Sequence, residues 1–283
     1  MRFFGISDLH LSLNSNKPMD RFGEHWYKHH EKVAENWRGM VTEDDVVLIP
    51  GDHSWALHLE DAREDLAWIA ALPGKKIMGK GNHDLWWHSP SKLRALALPG
   101  MHWLQNTALI IDNVGIGGSR GWALPGLEPT PQDEKIYLRE QERLRLSFQD
   151  LRKQARGQSL KAILCMLHYP PLLCREPRDS EFTRMLEEAG VTLCVYGHMH
   201  LSHGNRVFRG THNGVAYEVV SCDFTRFAPR LLLDTSAPES PHPGEGDEAL
   251  PEIPASAGPA SEGSLQEAGP SLDDANGRPE QDL

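Results

Sequence analysis

The sequence predicts an α/β fold: two β-sheets packed on one another, with helices outside. Three observations lead there. Strand-like apolar runs alternate with amphipathic helical stretches along the first half of the chain, and the second half is richer in strands. Five of the strand-like runs end in short polar clusters: Asp8-Leu9-His10, Gly51-Asp52, Gly81-Asn82-His83-Asp84, His168, and Gly197-His198-Met199-His200. Strand ends are where an α/β sheet collects its active-site loops, so clusters that all share that position differ from scattered histidines.

Taken in order, Phe3–Ser7 reads as a buried strand that delivers the first cluster. Glu24 to Met40 reads as a helix with Trp26, His30, Val33 and Trp37 on one stripe. Val46–Ile49 is a strand closed by the turn Pro50-Gly51-Asp52. Leu59 to Leu72 is an amphipathic helix stopped by Pro73-Gly74. Lys75–Met78 is a short strand leading into the Asn82 cluster, and Ser91–Leu98 a helix stopped by Pro99-Gly100. Strands follow at His102–Leu104, Ala108–Ile111 and Val114–Gly117. Gly118 to Gln132 is a loop, because glycine and proline crowd its centre. Asp133–Arg156 is a long charged helix, Ala162–Leu167 a strand ending at His168, Ser180–Ala189 a helix, and Thr192–Tyr196 a strand ending at Gly197. Strands between Val207 and Leu233 close the domain.

Charge separates this domain from the end of the chain. The 283 residues carry a net charge of -11. From Ser236 to Leu283 there are 11 acidic residues and one basic residue, Arg278, so residues 1–235 hold 29 acidic and 28 basic residues, a net of -1. A near-neutral fold weighs against a broad nucleic-acid groove. The segment 236–283 is rich in Pro, Gly, Ser and Glu and has no aromatic residue, so it is expected to be a disordered acidic tail. No run approaches the roughly 18 apolar residues of a membrane helix, and the N-terminal apolar stretch is too short for a signal peptide. A cytoplasmic location with reduced thiols is expected. Cys165 and Cys194 fall in strands and read as buried thiols; Cys174 and Cys222 are isolated.

The clusters have the composition of a divalent-metal site, which takes carboxylate oxygen, imidazole nitrogen and amide oxygen. Asp8 and His10, two residues apart on an extended turn, can point to one centre. Asp52 can bridge two ions with its two oxygens. Asn82 supplies a neutral oxygen donor, and His168, His198 and His200 complete the shells. The glycines at 51, 81 and 197 permit tight turns beside these ligands. No cysteine belongs to the set, so a structural zinc site is not indicated.

In its order Asp-x-His, Gly-Asp, Gly-Asn-His-Asp, His, Gly-His-x-His, the chain resembles the calcineurin-like metallophosphoesterase superfamily over about residues 1–225. The stretches KPMDRFGEHWYKH, IPGDHSWAL, KGNHDLWW and SRGW are similar to a bacterial group of predicted phosphohydrolases within it. The resemblance implies a four-layer α/β/β/α sandwich of two mixed sheets flanked by helices, with a dinuclear centre. It implies that Asp8, His10, Asp52 and His200 hold one ion and Asp52, Asn82, His168 and His198 the other. It implies that His83 binds the scissile phosphate and helps protonate the leaving group, and that Asp84 orients His83 through its ring N–H. The implied activity is hydrolysis of a small phosphodiester or phosphomonoester, a nucleotide among the options, by a metal-bridging hydroxide. Mn2+ is the expected ion, with Fe, Zn or Ni as alternatives.

The chain departs from the superfamily's protein phosphatases, which carry Gly-Asp-x-Val-Asp-Arg-Gly and Gly-Asn-His-Glu. Here Gly51-Asp52 is followed by His53-Ser54-Trp55 and the third cluster ends in Asp84. His53 has two readings, an additional site residue or a spectator. Trp86-Trp87 is either a stacking wall for a base or core packing. Arg120, in the loop Ser119-Arg120-Gly121-Trp122, is a candidate phosphate clamp because of its planar fork. The rival to an enzyme is a non-catalytic binding module on the same fold. Such a module is expected to have lost ligands, and this chain keeps all seven positions and His83.

Overall fold

In chain order the strands are β1 (Arg2–Gly5), β2 (Val46–Ile49), β3 (Lys75–Met78), β4 (Met101–Trp103), β5 (Leu109–Ile111), β6 (Val114–Ser119), β7 (Ala162–Leu167), β8 (Leu193–Tyr196), β9 (Gly210–His212), β10 (Val215–Val219) and β11 (Arg230–Asp234). The helices are α1 (His29–Met40), α2 (Arg63–Ala70), α3 (Pro90–Arg94), α4 (Pro131–Ala155) and α5 (Glu181–Ala189). This computed structural model describes residues 1–14, 17–125, 130–172 and 178–237. The predicted acidic tail, from residue 238 on, and Cys174 lie outside the described residues.

The strands form two mixed sheets. The first has the order β11-β1-β2-β3-β4, with β1 to β4 parallel and β11 antiparallel to β1. The second has the order β5-β6-β7-β8-β10-β9; β6, β7, β8 and β10 are parallel, and β5 and β9 are antiparallel edges. The central strands are apolar on both faces, as expected when each face meets another layer.

Alternation along the strands shows what each face meets. Phe3, Val46, Leu48 and Ile77 of the first sheet share one cluster with Val114, Ile116, Leu164, Met166, Leu193 and Val195 of the second, which is the layer between the sheets. The opposite side chains of the first sheet, Phe4, Val47, Ile49 and Met78, pack on Val33 and Trp37 of α1 and Leu66 and Ile69 of α2. Those of the second sheet, Cys165, Leu167, Cys194 and Tyr196, pack on Leu144, Phe148 and Leu151 of α4 and Phe182 and Leu186 of α5. Helix, sheet, sheet and helix are therefore the four layers anticipated above. Cys165, Cys194 and Cys222 are buried free thiols.

The differences from sequence expectation lie at helix bounds: α2 spans only Arg63–Ala70, and α3 stops at Arg94, four residues before Leu98. The first helix begins at His29 rather than Glu24, because Gly23 and Lys28 both take positive φ (139° and 51°) and leave only a 3-10 turn at Glu24–Trp26. Its buried stripe is His29, Val33, Ala34 and Trp37, with His30 to one side. Helix α4 starts two residues early: Pro131 suits the first helical position, and Thr130 Oγ1 accepts from Asp133 N at 3.1 Å. Ser180 is the N-cap of α5, in a capping box with Thr183.

The parallel strands leave their C-terminal ends on one side. Asp8 follows β1, Asp52 follows β2, Asn82 follows β3, His168 follows β7 and His198 follows β8. The topology thus gathers the polar clusters at one rim of the sandwich.

Candidate metal centre

The strand-end turns are tightly made. Asp8, His10, Asp52 and His198 all have left-handed φ, at 56°, 44°, 54° and 67°. For non-glycine residues such conformations cost on the order of 1–3 kcal/mol each and collect at functional sites. Backbone bonds stitch the first two turns together: Asp8 N donates to Gly51 O at 3.1 Å, and His10 N to Asp52 O at 2.9 Å. Gly51 and Gly81 press against each other; a Cβ on Gly51 would stand 2.6 Å from Gly81 Cα and 2.8 Å from His168 Nδ1, and one on Gly81 would collide with Asp52. Only glycine fits these two positions.

The turns bring two donor groups together. Asp8, His10 and His200 form one and Asp8, Asp52 and His168 the other, each with its ligand atoms within 4.8 Å of one another. Asp52 Oδ2 lies 3.7 Å from His10 Nε2 and 3.4 Å from His168 Nε2, so it stands between the groups. One oxygen faces both sides rather than one oxygen each: Oδ1 is taken by the N–H of His83 at 2.9 Å. On the second side Asn82 Oδ1 is 2.6 Å from His168 Nε2 and 3.0 Å from His198 Nδ1. His168 Nδ1 sits 3.1 Å from Pro50 O, which calls for the Nδ1–H tautomer and turns the Nε2 lone pair toward the donors. All seven candidate ligands therefore meet at one place.

The electrostatics fit divalent cations. Asp8 and Asp52 are buried, and among the described residues neither pairs with a lysine or arginine. Burial pushes the Asp8 carboxyl up. Burial pushes Asp52 up as well, but His168, His10 and His83 outweigh it and hold the carboxyl well below the usual range. Burial, then His168, presses His198 down to about 3, leaving it a neutral donor. Burial would lower His200 too, but Asp223 outweighs it and the imidazole is pushed up to about 9. Burial would lower His168 as well, but Asp52 outweighs it and raises the imidazole, so the histidines of the cluster balance the two carboxylates that no lysine or arginine pairs with; carboxylate, imidazole and amide donors gathered in this way are the donor set of a cation site.

Other predicted residues have different places. Asp84 does not orient His83. Its Oδ2 accepts from Asp52 N, Gly81 N and His53 Nδ1 at 2.8–2.9 Å, and its Oδ1 from His53 N at 2.9 Å and Trp86 Nε1 at 3.1 Å. With five donors around it, this buried carboxylate clamps the β2 and β3 turns to one another. His53 is buried behind the ligands as the partner of Asp84. Arg120 does not reach toward the donors. Its Nη2 is 3.3 Å from Glu140 Oε1, its guanidinium carbon lies 4.5 Å over the Trp122 ring, and its side chain is largely buried. Its carbonyl accepts from His168 N and Tyr169 N, so it supports the His168 turn from behind. Trp86 and Trp87 are buried against Trp103, which is the packing reading.

His83 is half-buried, and its ring lies 5.5 Å from that of His10 and 4.5 Å from that of Trp55. Trp55 also stacks on His10, at 4.6 Å and 20°. Sequence reasoning did not single out Trp55 or Asp223. Asp223 follows β10, and its Oδ2 lies 3.2 Å from His200 Nδ1. The available signal was position, since both lie just past a strand.

A four-layer sandwich with a buried carboxylate–imidazole cluster at its strand ends defines an α/β protein with a metal-binding centre. The chain belongs to the calcineurin-like phosphoesterase family, whose profile matches residues 1–202. It is 31% identical over 98 residues to the Gene 66 protein of Mycobacterium phage L5; the match covers 35% of this chain and spans 46% of that relative's length. In structure it is similar to phosphopantetheinyl hydrolase from Mycobacterium tuberculosis, with a TM-score of 0.51 and 17% identity over 84% of this chain and 98% of the other. A protein of unknown function from Aquifex aeolicus aligns over 81% of this chain and 95% of its own, at TM-score 0.42 and 15% identity. Among the described residues no helix is long and apolar enough to cross a membrane.

Proposed function

We propose that the protein is a dinuclear metal-dependent phosphoesterase acting on a small phosphodiester or phosphomonoester. The observation that carries this reading is Asp52 Oδ2, placed between His10 Nε2 and His168 Nε2 at 3.7 and 3.4 Å. Asp8, His10, Asp52 and His200 would hold one ion and Asp52, Asn82, His168 and His198 the other. Two bound divalent ions, with manganese the first choice, would lower the pKa of water and neutralise charge on the phosphoryl oxygens.

The chain's own residues supply the rest. His168 is oriented by Pro50 O, and the Asp84 clamp fixes Asp52 relative to Asn82. His83 stands on the same face, anchored through its N–H to the bridging carboxylate, with its ring free to meet a substrate oxygen. From there it would hydrogen-bond the scissile phosphate and pass a proton to the departing alkoxide. The Trp55 ring beside it keeps that side apolar and lowers local screening of the developing charge.

The test is a panel of phosphomonoesters and phosphodiesters with purified protein and Mn2+, Zn2+, Ni2+ or Mg2+ added singly. Turnover that needs metal and stops in chelator is expected. A protein that binds metal yet turns over no phosphoester would be a binding module instead.

A further inference from the structure

The turn Asp8-Leu9-His10 carries two candidate ligands of one ion. Two of its three residues, Asp8 and His10, are left-handed, and Leu9 between them is fully buried. Left-handed residues so close together persist only where their surroundings hold them. On the amide side the turn is tied to its neighbour, through Asp8 N to Gly51 O and His10 N to Asp52 O. On the carbonyl side the ties are side chains from elsewhere in the chain. Cys222 Sγ–H donates to Asp8 O at 3.1 Å, and His29 Nε2 lies 2.8 Å from Leu9 O. A carbonyl only accepts, so Nε2 carries the ring proton and donates it.

His29 is the first residue of α1 and is buried. Val33 and Trp37, on the same stripe, pack the helix on the first sheet, so the donor is carried by a fixed element. Burial lowers the His29 imidazole to about 4, so at neutral pH it acts through its hydrogen bond and not through charge. Its ring meets Trp26 edge-on at 5.3 Å. Trp26 in turn packs edge-on against His10 and His200, the two imidazoles of the first donor group. The second group has other supports: Pro50 O orients His168, and Tyr169 lies against His198 at 4.2 Å. The hydrogen bond and ring contacts of His29 fall on Leu9, Trp26, His30 and Phe227, none of which belongs to that group.

We infer that His29 is a positioning residue for one ion alone. Its Nε2–H fixes the Asp8-Leu9-His10 turn through the Leu9 carbonyl. The ion assigned to Asp8, His10, Asp52 and His200 depends on that bond, and the ion assigned to Asp52, Asn82, His168 and His198 does not. The inference rests on the dinuclear reading and deepens it, because it gives the two ions separate supports. A buried histidine that merely satisfied a carbonyl would instead affect folding and both ions alike.

The experiment counts Mn2+ bound to the full-length protein, by equilibrium dialysis and elemental analysis over a range of free Mn2+. Loss of a group that orients a ligand weakens metal binding about 10–100-fold. His29→Ala and His29→Phe should each weaken one ion within that range and leave the other at its wild-type affinity. The phenylalanine keeps the ring's volume without its donor, so it carries the test if the alanine variant does not fold. His29→Gln, whose amide N–H can reach the same carbonyl, should recover most of the affinity. His30→Ala, the next residue on the helix, should change neither ion. A second comparison identifies the ion. His29→Phe should add nothing in a His10→Ala background, and should weaken the remaining ion in an Asn82→Ala background. Equal weakening of both ions, weakening of neither, no recovery in His29→Gln, or a further loss in the His10→Ala background would overturn the inference and leave the dinuclear reading standing. A wild-type protein that binds fewer than two Mn2+ would overturn the dinuclear reading, and the inference with it.

Discussion

Asp84 Oδ2 stands 2.9 Å from His53 Nδ1, and the carboxylate that follows His83 in sequence serves His53 instead. Burial pushes Asp84 up, but His53 outweighs it and keeps the carboxyl below its usual range. The same carboxylate receives the backbone N–H groups of Asp52, His53 and Gly81. It holds Asp52 at a fixed offset from Asn82.

Asp84→Ala should therefore act as a metal-site and stability variant. Removing the buried acceptor leaves its donors unpaired, which costs about 3–5 kcal/mol. Metal content should fall, and activity should drop equally for esters of good and poor leaving groups. Thermal melting and metal analysis check this. A stable, metal-replete variant impaired only with poor leaving groups would return Asp84 to a role on His83.

Much of the site was legible because each ligand turn is local. Asp8-Leu9-His10 and Gly51-Asp52 announce themselves by residue type and by position past an apolar run. Partners set by the approach of two loops were not legible. Which histidine Asp84 serves depends on the offset between the parallel strands β2 and β3. Arg120 carried the right chemistry, but Glu140, one helix away, claims its guanidinium. Trp55 lies in the stretch IPGDHSWAL and Asp223 in no quoted motif, but only the folded chain brings them to His10 and His200. The fold was readable because its strands alternate cleanly in what they face. The start of α1 was not, because Lys28 takes a left-handed conformation that its residue type does not signal.

Asp52 is proposed to serve both ions and Asn82 one. Asp52→Asn should thus lose more bound metal than Asn82→Ala. Elemental analysis after dialysis against excess Mn2+ decides it. Full two-ion occupancy in Asp52→Asn would end the bridging assignment.

Asp223 should orient His200 without touching substrate. Loss of such a partner typically weakens metal binding about 10–100-fold. Asp223→Asn is expected to raise the metal Kd within that range while the metal-free protein melts as wild type does. Unchanged metal affinity would make the 3.2 Å approach incidental.

Acid stability should depend on Asp45, away from the metal centre. Burial pushes its carboxyl up, but the Arg2 guanidinium, bonded at 2.6 and 3.2 Å, and the N–H and O–H of Thr42 outweigh that and hold it at about 2. The unfolded value is about 3.9. A depressed folded pKa stabilises above the unfolded value, and that stability is lost as pH falls toward the folded one. Arg2 is a third exposed and partly screened, so Asp45→Asn should cost about 1–2 kcal/mol at pH 6. The gap from wild type should shrink between pH 4 and 2. Urea melts across that range measure it, and a gap constant down to pH 2 would place its origin elsewhere.

The role proposed for His83 makes the sharpest kinetic demand. Its N–H is fixed to Asp52 Oδ1 while its half-buried ring lies beside the stacked pair of His10 and Trp55. Among the described residues no carboxylate holds that ring, and Asp84 is committed to His53. His83 should then serve as a proton donor whose orientation is completed by substrate. General-acid assistance contributes about 10²–10⁴-fold, and only where the leaving oxygen needs a proton. His83→Asn should keep its metal, lose activity within that range on an alkyl ester, and lose far less on a p-nitrophenyl ester, whose anion departs unprotonated. The comparison is kcat/KM for both esters alongside metal content. Equal losses with metal retained would leave His83 as a phosphate-binding group. Loss of metal would show instead that its backbone link to Asp52 depends on the imidazole.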